Sequence, residues 1–363
     1  MHARLPETVV GLSKARMLAP DGRCKSFDAR ADGYARADGV AIVVLRRLSD
    51  AVRDGDRVYA IIHGSAVNQD GRTPTITMPN AEAQMGAIRS ALENAGLSPA
   101  DISYVEAHGT GTPTGDPVEA RALGAVIGAA QADGQSCVIG SIKSNIGHTE
   151  STAGVAGLIK VALMLQHGQI LPNIHFETPN PEIPFADLRL RVPTAPEPWV
   201  APPQGRFAGV NSFGFGGTNA HVVLGEAPDR GARPTSGSSG PWLLCLSARS
   251  DESLRAQAAR HAEALRARAP ADLPLDTLAG TLALERERHP MRLAIRADSR
   301  DAAIAALGLA AEGGTGAGLV RGAASAEGKL AFVFSGMGQQ HWAMGRSLRR
   351  WSPVFARKLQ EID

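Results

Sequence analysis

Cysteine, aromatic side chains and net charge are all scarce in this chain of 363 residues. The three cysteines, Cys24, Cys137 and Cys245, are too few for a disulfide framework, and we expect a reducing, cytoplasmic location. Aromatic residues account for only 4%, so platforms for stacking nucleic-acid bases are not expected. The net charge of +2, from 38 basic and 36 acidic residues, gives no bulk attraction to nucleic acid or to an anionic membrane.

Long apolar runs are missing as well. The most apolar segments are residues 40–45, which are too few to cross a bilayer, and residues 154–165, which Lys160 interrupts. No apolar stretch of a signal peptide follows Met1. Hydrophobic residues still make up 44% of the chain, and its length is typical of two domains or slightly more. The sequence therefore predicts a folded protein with a sizeable core and no membrane partner.

Residues 1–228 alternate short β-branched runs with alanine-rich helical patterns, which is typical of a layered α/β domain. The predicted strands are 39–48, 58–67, 101–107, 137–142 and 220–224, and the predicted helices are 81–95 and 151–166. A further helix is predicted to begin at Asp116 as its N-cap, with Pro117 in the first helical position and Glu119 completing a capping box.

A polar segment rich in Gly, Ser and Pro, residues 229–240, indicates a domain boundary. The second unit is predicted to contain strands at 242–247 and 291–297, a helix at 251–267 and a loose segment at 310–326. A new strand is predicted from Leu330, and the chain stops 33 residues later. We therefore expect a third unit that is cut short.

Three loops crowded with small and polar residues follow predicted strands, which is where α/β sheets bind ligands. They are residues 108–116, 143–148 and 211–219, with the sequences HGTGTPTGD, KSNIGH and NSFGFGGTN. Taken alone, each loop is also compatible with a tight structural turn. The first departs from a dinucleotide fingerprint, because its third glycine falls one place late and Pro113 removes an amide. The third lacks the lysine of a phosphate-binding loop.

The residue types in these loops suit chemistry at a carbonyl group. His108 lies among glycines that let a substrate approach the backbone. His148 is expected at a helix N-terminus, where the helix dipole disfavours imidazolium and keeps the ring neutral. The glycines of the third loop would present backbone N–H groups, as an oxyanion hole requires. No metal is expected, because the histidines lack ligand partners at the usual spacing and residues 28–39 depart from a calcium loop.

Taken together, the three loops are far more specific than any one of them. The relevant strings are VEAHGTGTPTGDPVEA, GSIKSNIGHTESTAGVAGLIKV and NSFGFGGTNAHVVLGE, with ETVVGLSKARMLAPDGRCKSFDARADGYARADG near the start. Over residues 1–228 they resemble the ketosynthase domain of type I polyketide synthases and related multifunctional fatty acid synthases. Residues 241–325 look like the linker domain between ketosynthase and acyltransferase, and residues 329–363 look like the start of the acyltransferase.

The resemblance implies an α/β fold: the C-terminal half of a thiolase-like αβαβα fold, followed by a small α+β linker domain. It also implies decarboxylative Claisen condensation, in which a cysteine holds an acyl chain as a thioester. Two histidines promote decarboxylation of a malonyl-type thioester, and the carbanion attacks the acyl-cysteine. The implied partner is an acyl carrier protein whose phosphopantetheine carries the acyl or malonyl group, with no cofactor bound directly. The family is homodimeric, but this chain is expected to lack much of the half that forms the dimer.

The resemblance also implies roles for individual residues. His108 and His148 match the two histidines, and Lys143 matches the lysine that holds the second histidine in place. Two threonines of the first loop match residues that meet the phosphopantetheine arm, and Phe215 matches the gatekeeper whose backbone N–H helps to form the oxyanion hole. The catalytic candidates are thus His108, His148 and Lys143, and the substrate-binding candidates are Thr110, Thr112, Asn145, Phe213 and Phe215.

The chain departs from the family at the nucleophile. The family's cysteine lies in a D-T-A-C-S-S-like motif upstream of the stretch that matches residues 7–17, and none of the three cysteines here has that context. We therefore expect an incomplete ketosynthase that does not condense by itself and that exposes an apolar edge at residues 40–45. The acyltransferase part lacks its serine and histidine. Ala37 and Asp38 stand where the family usually has Gly and Glu.

Three functions remain open at this stage. The chain could be a piece of a multidomain polyketide synthase, through a truncated gene, a misplaced start codon or a split chain. It could be a non-catalytic complementing or docking piece that acts beside a partner chain carrying the nucleophile. It could also be a cysteine-independent malonyl-thioester decarboxylase that uses the two histidines.

Overall fold

A six-stranded mixed sheet organises the first of the two units into which the chain divides, residues 1–229 and 230–363. The structure is a computed structural model, and it describes residues 6–75, 77–228, 240–324, 331–333, 338 and 341–362. The boundary expected at residues 229–240 lies outside the described residues except for Gly240.

The elements of the first unit follow the alternation that the sequence indicates. Its strands are β1 (Ala60–Gln69), β2 (Ile102–Glu106), β3 (Cys137–Gly140), β4 (Gln169–Ile170), β5 (Leu190–Arg191), β6 (Glu197–Pro198), β7 (Phe207–Phe213) and β8 (Thr218–Glu226). Its helices are α1 (Pro6–Lys14), α2 (Leu48–Asp54), α3 (Ala81–Ala95), α4 (Gly115–Val126), α5 (Lys143–Ile146) and α6 (Ala153–His167).

The order of strands in the sheet is β1-β8-β7-β2-β3-β5. Strands β7, β2, β3 and β5 run parallel to one another, and β1 and β8 complete the sheet in antiparallel pairing. Ile102 and Val105 of β2 pack in one hydrophobic cluster with α3 and α4, whereas Tyr104 packs in another with α6. The sheet is thus covered by helices on both faces, as parallel strands require.

Helix α3 shows how local sequence sets an element. The side chain of Asn80 caps its start by accepting hydrogen bonds from the backbone N–H groups of Glu82 and Ala83. Gly96 ends it in the left-handed region, with φ of 65°. Its apolar side chains recur at helical spacing and are buried against the sheet. The predicted range, 81–95, is confirmed.

The strand predicted at residues 39–48 is wrong. No strand occurs at residues 39–47, and α2 begins at Leu48. The alternating side chains of Val40, Ile42 and Val44 are 94%, 82% and 92% exposed. A strand needs a neighbouring strand to satisfy its backbone, and none of the described strands pairs with this segment. Residues 39–48 have the composition of a strand, but none of the strands that the structure describes lies beside them to pair with.

The helix start predicted at Asp116 is also wrong in detail. Helix α4 begins at Gly115, and its N-cap residue, Thr114, makes no side-chain hydrogen bond to the helix. Asp116 and Glu119 lie inside the helix and are buried. Their carboxylates bind the backbone of the preceding loop, as described below, so they are unavailable as caps.

The second unit is an α+β layer. Its strands are β9 (Trp242–Ala248), β10 (Met291–Ala297) and β11 (Leu319–Ala323), and its helices are α7 (Asp251–Ala267), α8 (Leu275–Leu284), α9 (Arg300–Ala311), α10 (Arg346–Trp351) and α11 (Pro353–Ile362). The antiparallel sheet has the order β11-β10-β9, and α7, α8 and α9 share its hydrophobic core.

One expectation for the second unit is wrong, and another falls mostly on residues that the structure does not describe. The segment 310–326 is not uniformly loose, because β11 forms within it by pairing with β10. The strand predicted from Leu330 falls largely outside the described residues, and residues 331–333, which are described, carry no strand. Within the described ranges, none of the helices combines the length and apolar character of a membrane span.

The exposed segment 40–45 generates a testable prediction about solubility. Replacing Val40, Ile42 and Val44 together by Thr should reduce aggregation of the isolated chain, measured by light scattering, because fewer apolar side chains face solvent. The free energy of unfolding should change by less than about 0.5 kcal/mol, since these side chains bury almost nothing. The control is Ile139→Ala in the core, which should cost about 2–5 kcal/mol. A comparable loss in the triple variant would contradict the exposed arrangement.

Candidate active site

The three loops singled out in the sequence meet at one edge of the sheet. Strands β7, β2 and β3 are adjacent and parallel, so their carboxyl ends lie side by side. The His108 and His148 rings approach to 5.4 Å between centroids, at an interplanar angle of 82°. The Phe213 ring, at the end of β7, lies 6.0 Å from the His108 ring. Topology therefore brings together residues that are 40 to 105 positions apart in sequence.

Backbone contacts hold His148 from two sides. Its N–H donates to the carbonyl oxygen of Ala35 at 2.7 Å, and its carbonyl oxygen accepts from the N–H of Ala37 at 3.0 Å. The N–H of Glu150 donates to Nδ1 of the ring at 2.9 Å. Because Nδ1 is an acceptor, the neutral ring carries its hydrogen on Nε2. The Glu150 carboxylate pairs with both Nε and Nη2 of Arg36, at 2.6 and 2.9 Å, which steadies the turn.

His108 is held in a similar way. Its Nδ1 accepts a long hydrogen bond of 3.4 Å from the backbone N–H of Phe213, so the neutral ring again carries its hydrogen on Nε2. The backbone N–H groups of His108 and Gly109 donate to the two carboxylate oxygens of Glu119, at 2.7 and 2.8 Å. The site thus presents two imidazoles whose Nε2–H groups are both donors.

Electrostatics keep both rings neutral. Burial and, to a smaller extent, the nearby Lys143 ammonium lower the pKa of His148 to about 4. The pKa of His108 is well below its usual value for the same two reasons, with a contribution from His148. His148 lies two residues before a 3-10 turn, Glu150–Thr152, that runs directly into α6 at Ala153, so it is placed at a helical N-terminus as expected. The effect of the helix dipole on the ring stays a prediction beside the effects of burial and the buried cation.

Lys143 itself is only 3% exposed. Burial lowers the pKa of its ammonium group, and the carboxylates of Glu106 and Glu119 oppose that shift by favouring the charged form. These two carboxylates favour the charged form of Lys143, and that charge in turn lowers the pKa of both histidines.

Buried carboxylates that sequence reasoning missed shape the first loop. Asp116 accepts hydrogen bonds from the backbone N–H groups of Phe27 and Gly111, at 2.7 and 3.1 Å, and burial raises its pKa to about 7. Glu119 also accepts from the side-chain amide of Asn211 at 2.8 Å. The available signal was the D-x-x-E spacing after the loop, which we interpreted as a helix cap. The same two acids point back to the loop instead.

The glycines of the first loop are required by close packing. Gly109 has φ of 41°, and a Cβ there would lie 2.7 Å from the Cβ of Ser141, just before the second loop. Gly111 has φ of 80°, and a Cβ there would lie 2.7 Å from the backbone nitrogen of Lys25. Any other residue would push the loops apart or strain the backbone.

The candidate substrate-binding residues differ in how exposed their side chains are. Thr110 is buried, and its hydroxyl lies 3.1 Å from that of Thr112, which is half-buried. Phe213 is buried beside His108. The other two side chains are exposed: Asn145 accepts a hydrogen bond from the Ser144 hydroxyl at 3.1 Å, and Phe215 is 56% exposed.

None of the cysteines described by the structure has the environment of an activated nucleophile. Cys24 is 1% exposed, its sulfur accepts the N–H of Ala35 at 3.2 Å, and burial raises the pKa of the thiol. Burial raises the pKa of Cys137 to about 12. Cys245 lies on β9 in the second unit. Reactive cysteines are accessible and have a lowered pKa, which is the opposite of Cys24 and Cys137.

Comparison with known families agrees with the site. Residues 59–177 match the model of the beta-ketoacyl synthase C-terminal domain, and residues 3–51 match that of the N-terminal domain. Residues 179–295 match the ketoacyl-synthetase C-terminal extension. The chain therefore carries ketosynthase sequence, and the loops of His108 and His148 lie within the C-terminal-domain match.

Its relatives are polyketide synthases. The chain is 46% identical over 360 residues to a phenolphthiocerol/phthiocerol polyketide synthase of Mycobacterium tuberculosis, and the match covers 99% of this chain and 19% of that protein. It is 43% identical over 364 residues to erythronolide synthase EryA2 of Saccharopolyspora erythraea, covering 99% of this chain and 10% of that protein. The ketosynthase sequence is thus of the polyketide synthase type, and the chain spans a tenth to a fifth of these relatives.

Solved ketosynthases share the fold. The ketosynthase from module 6 of the bacillaene synthase of Bacillus subtilis gives a TM-score of 0.77 at 40% identity, over 88% of this chain and 55% of that one. The oxazolomycin ketosynthase domain OzmH KS7 of Streptomyces albus gives 0.80 at 39% identity, over 89% of this chain and 56% of that one. The fold is therefore thiolase-like, as expected, and the chain spans about half of these ketosynthases.

The coupling between Lys143 and His148 can be measured. Lys143→Met removes the buried cation and should raise the pKa of His148 from about 4 toward 6.5, followed by NMR titration of the imidazole Cε1 proton. Because the folded-state pKa is lowered, the stabilisation linked to His148 is present above about pH 6.5 and is lost as the pH falls toward 4. Lys143→Met should weaken this acid dependence.

The matched control is Lys25→Met, which removes another buried lysine, one that pairs with Asp21 and Asp32. It should leave the His148 titration where it was. An unchanged His148 pKa in the Lys143 variant would show that burial alone determines it.

Proposed function

We propose that the first unit provides the decarboxylation site of a polyketide-synthase ketosynthase, acting on a malonyl-type thioester. The observation that carries this proposal is the pair of neutral imidazoles, 5.4 Å apart, whose Nδ1 atoms both accept backbone N–H groups. Both Nε2 atoms then carry hydrogens and can act as donors. Donors of this kind stabilise a developing oxyanion.

The proposed step is balanced without a cofactor. The bond between the carboxylate and the α-carbon of the malonyl group breaks, and carbon dioxide leaves. The electron pair moves onto the α-carbon and the thioester oxygen, giving an enolate. His108 and His148 stabilise that oxygen by donating from Nε2, and they can do so only while neutral, which their lowered pKa values favour at pH 7. Lys143 keeps His148 neutral and positioned.

The second half of the proposal concerns condensation. The enolate carbon would attack an acyl-cysteine thioester, with the cysteine thiolate as leaving group. We propose that this chain by itself does not carry out this step, because Cys24 and Cys137 are buried with raised pKa values. The nucleophile would come from ketosynthase sequence beyond that in this chain.

The proposed partner is an acyl carrier protein. Thr110 and Thr112, whose hydroxyls lie beside each other in the first loop, would meet its phosphopantetheine arm, and the backbone N–H of Phe215 would contribute to the oxyanion hole. Asn145 and Phe213 would line the substrate path. We further propose that residues 241–325 form a ketosynthase–acyltransferase linker domain and that residues 329–363 begin an acyltransferase. The complete synthase would be cytoplasmic and homodimeric, although this chain lacks much of the half expected to form the dimer.

One observation favours a second candidate function, a complementing piece that acts beside another chain. The alternating side chains at residues 40–45 form a strand pattern that no described strand pairs with, and they are almost fully exposed. A partner supplying a neighbouring strand would cover them. The two candidates agree on the decarboxylation site and differ only in whether the nucleophile lies on the same polypeptide.

Incubating the purified chain with an acyl thioester tests the condensation half. We expect no stoichiometric acylation of Cys24, Cys137 or Cys245, monitored by intact-protein and peptide mass spectrometry. Cys24 and Cys137 are buried with raised pKa values, and Cys245 lies on β9 of the second unit rather than in the three loops. Stoichiometric labelling of one cysteine that disappears in a His148→Ala variant would overturn this half of the proposal.

Release of labelled carbon dioxide from malonyl carrier protein tests the decarboxylation half. The chain is mixed with a ketosynthase N-terminal domain supplied in trans, in which the nucleophilic cysteine is replaced. His148→Ala should lower the rate by roughly 100- to 10,000-fold, the contribution of one acid–base residue. The matched control is His167→Ala at the exposed end of α6, which should leave the rate unchanged. Equal rates for His148→Ala and the control would remove His148 from the mechanism.

A further inference from the structure

A buried ion pair lies directly beneath the second loop. The Nζ atom of Lys160, midway along α6, is 2.7 Å from Oε2 of Glu106 at the end of β2. Their side chains are 7% and 2% exposed. The Tyr104 hydroxyl donates to the same carboxylate oxygen at 2.7 Å, and it lies 2.9 Å from Nζ. All three groups are closed off from bulk solvent.

The other carboxylate oxygen of Glu106 binds the backbone just before the second loop. Oε1 accepts the backbone N–H of Ile142 at 2.6 Å, immediately before α5 and Lys143. This bond ties the loop to β2 at the point where the chain turns toward His148. Lys160 touches no candidate catalytic residue itself, so any effect on the site must pass through Glu106.

Two glycines pack closely against the side chains of Glu106 and Tyr104. A Cβ at Gly157 on α6 would lie 3.0 Å from Cγ of Glu106, and a Cβ at Gly140 on β3 would lie 2.8 Å from the Tyr104 hydroxyl. These two glycines let the helix and the strand close over the polar groups.

We propose that Lys160 is a positioning residue of the ketosynthase site: its ammonium pairs with the Glu106 carboxylate and orients it, so that Oε1 holds the Ile142 N–H and, through it, the turn that carries Lys143 and His148. This inference rests on the proposed function for its catalytic meaning, although the positioning itself is a property of the fold.

The charges form a chain that supports this role. Glu106 is the largest charged influence that opposes the lowering of the Lys143 pKa by burial. Lys143 in turn lowers the pKa of His108 and His148. A buried ion pair gives little net stability compared with an apolar pair of similar shape. The charges buried at residues 106 and 160 therefore point to a task other than filling the core.

The test replaces Lys160 by Met in the full chain and measures the site without relying on activity. With Glu106 unpaired, its bond to Ile142 should weaken, so the Ile142 amide signal should move in NMR spectra and its hydrogen exchange should accelerate. The His148 imidazole should titrate above its value of about 4, because the Glu106 carboxylate is no longer neutralised by the Lys160 ammonium. If the proposed function holds, decarboxylation at pH 7 should slow by up to about 100-fold in kcat with KM unchanged.

Two further variants separate positioning from stability. Val161→Ala, one residue along α6 in the same core, should lower the unfolding midpoint but leave the Ile142 amide and the His148 titration in place. The double variant Lys160→Met/Glu106→Gln removes both charges and should recover stability, while His148 should still titrate higher because Lys143 has lost its anion. These measurements remain interpretable if the single Lys160 variant fails to fold.

The possible outcomes are distinct. If the Ile142 amide and the His148 titration in Lys160→Met match those of Val161→Ala, or if both return to normal in the double variant, the positioning role is overturned. If they shift as expected while no variant, including the unmodified protein, decarboxylates malonyl carrier protein in the trans assay, the positioning role is supported and the proposed function is not.

Discussion

Buried carboxylates bound to backbone N–H groups are the interaction on which this site depends. Glu119 binds the N–H groups of His108 and Gly109, Asp116 binds those of Phe27 and Gly111, and Glu106 binds that of Ile142. Glycine-rich loops have few side chains with which to hold themselves, and their unpaired N–H groups would be costly if buried. The acids satisfy these groups from the helix and strand that flank the loops, and so turn flexible sequence into a defined geometry.

Burial of these acids disfavours their charged forms, and nearby lysines counteract that effect. Carboxylates taken out of water favour protonation, as the raised pKa of Asp116, about 7, illustrates. Lys160 pairs with Glu106, and Lys143 lies near both Glu106 and Glu119. Lys143 then acts on the histidines, whose pKa values fall so that both rings are neutral. Loop geometry and histidine protonation are consequently two results of one arrangement of charges.

Much of the fold could be predicted from local sequence, and the errors have clear physical causes. Helices 81–95 and 251–267 were predicted with their true bounds, because caps and apolar spacing act within a few residues. The strand at 39–48 was wrong, since strand formation requires a neighbour that local pattern does not reveal. The cap predicted at Asp116 was wrong because the same D-x-x-E spacing occurs both at helix starts and where two acids bind the N–H groups of the preceding loop. Only the position of the loop in the fold distinguishes these two cases.

The sequence by itself determined the class of site: two loop histidines, a lysine five residues before one of them, and glycines that permit close approach. Tertiary structure alone decided that the His108 and His148 ring centroids lie 5.4 Å apart, that both rings carry their hydrogen on Nε2, and that burial and the Lys143 charge lower their pKa values. It also decided the roles of Glu106, Asp116, Glu119 and Lys160. The physical reason is that motif spacing along the chain records residue type, whereas ring orientation, desolvation and ion pairing depend on which distant strands and helices become neighbours in the fold.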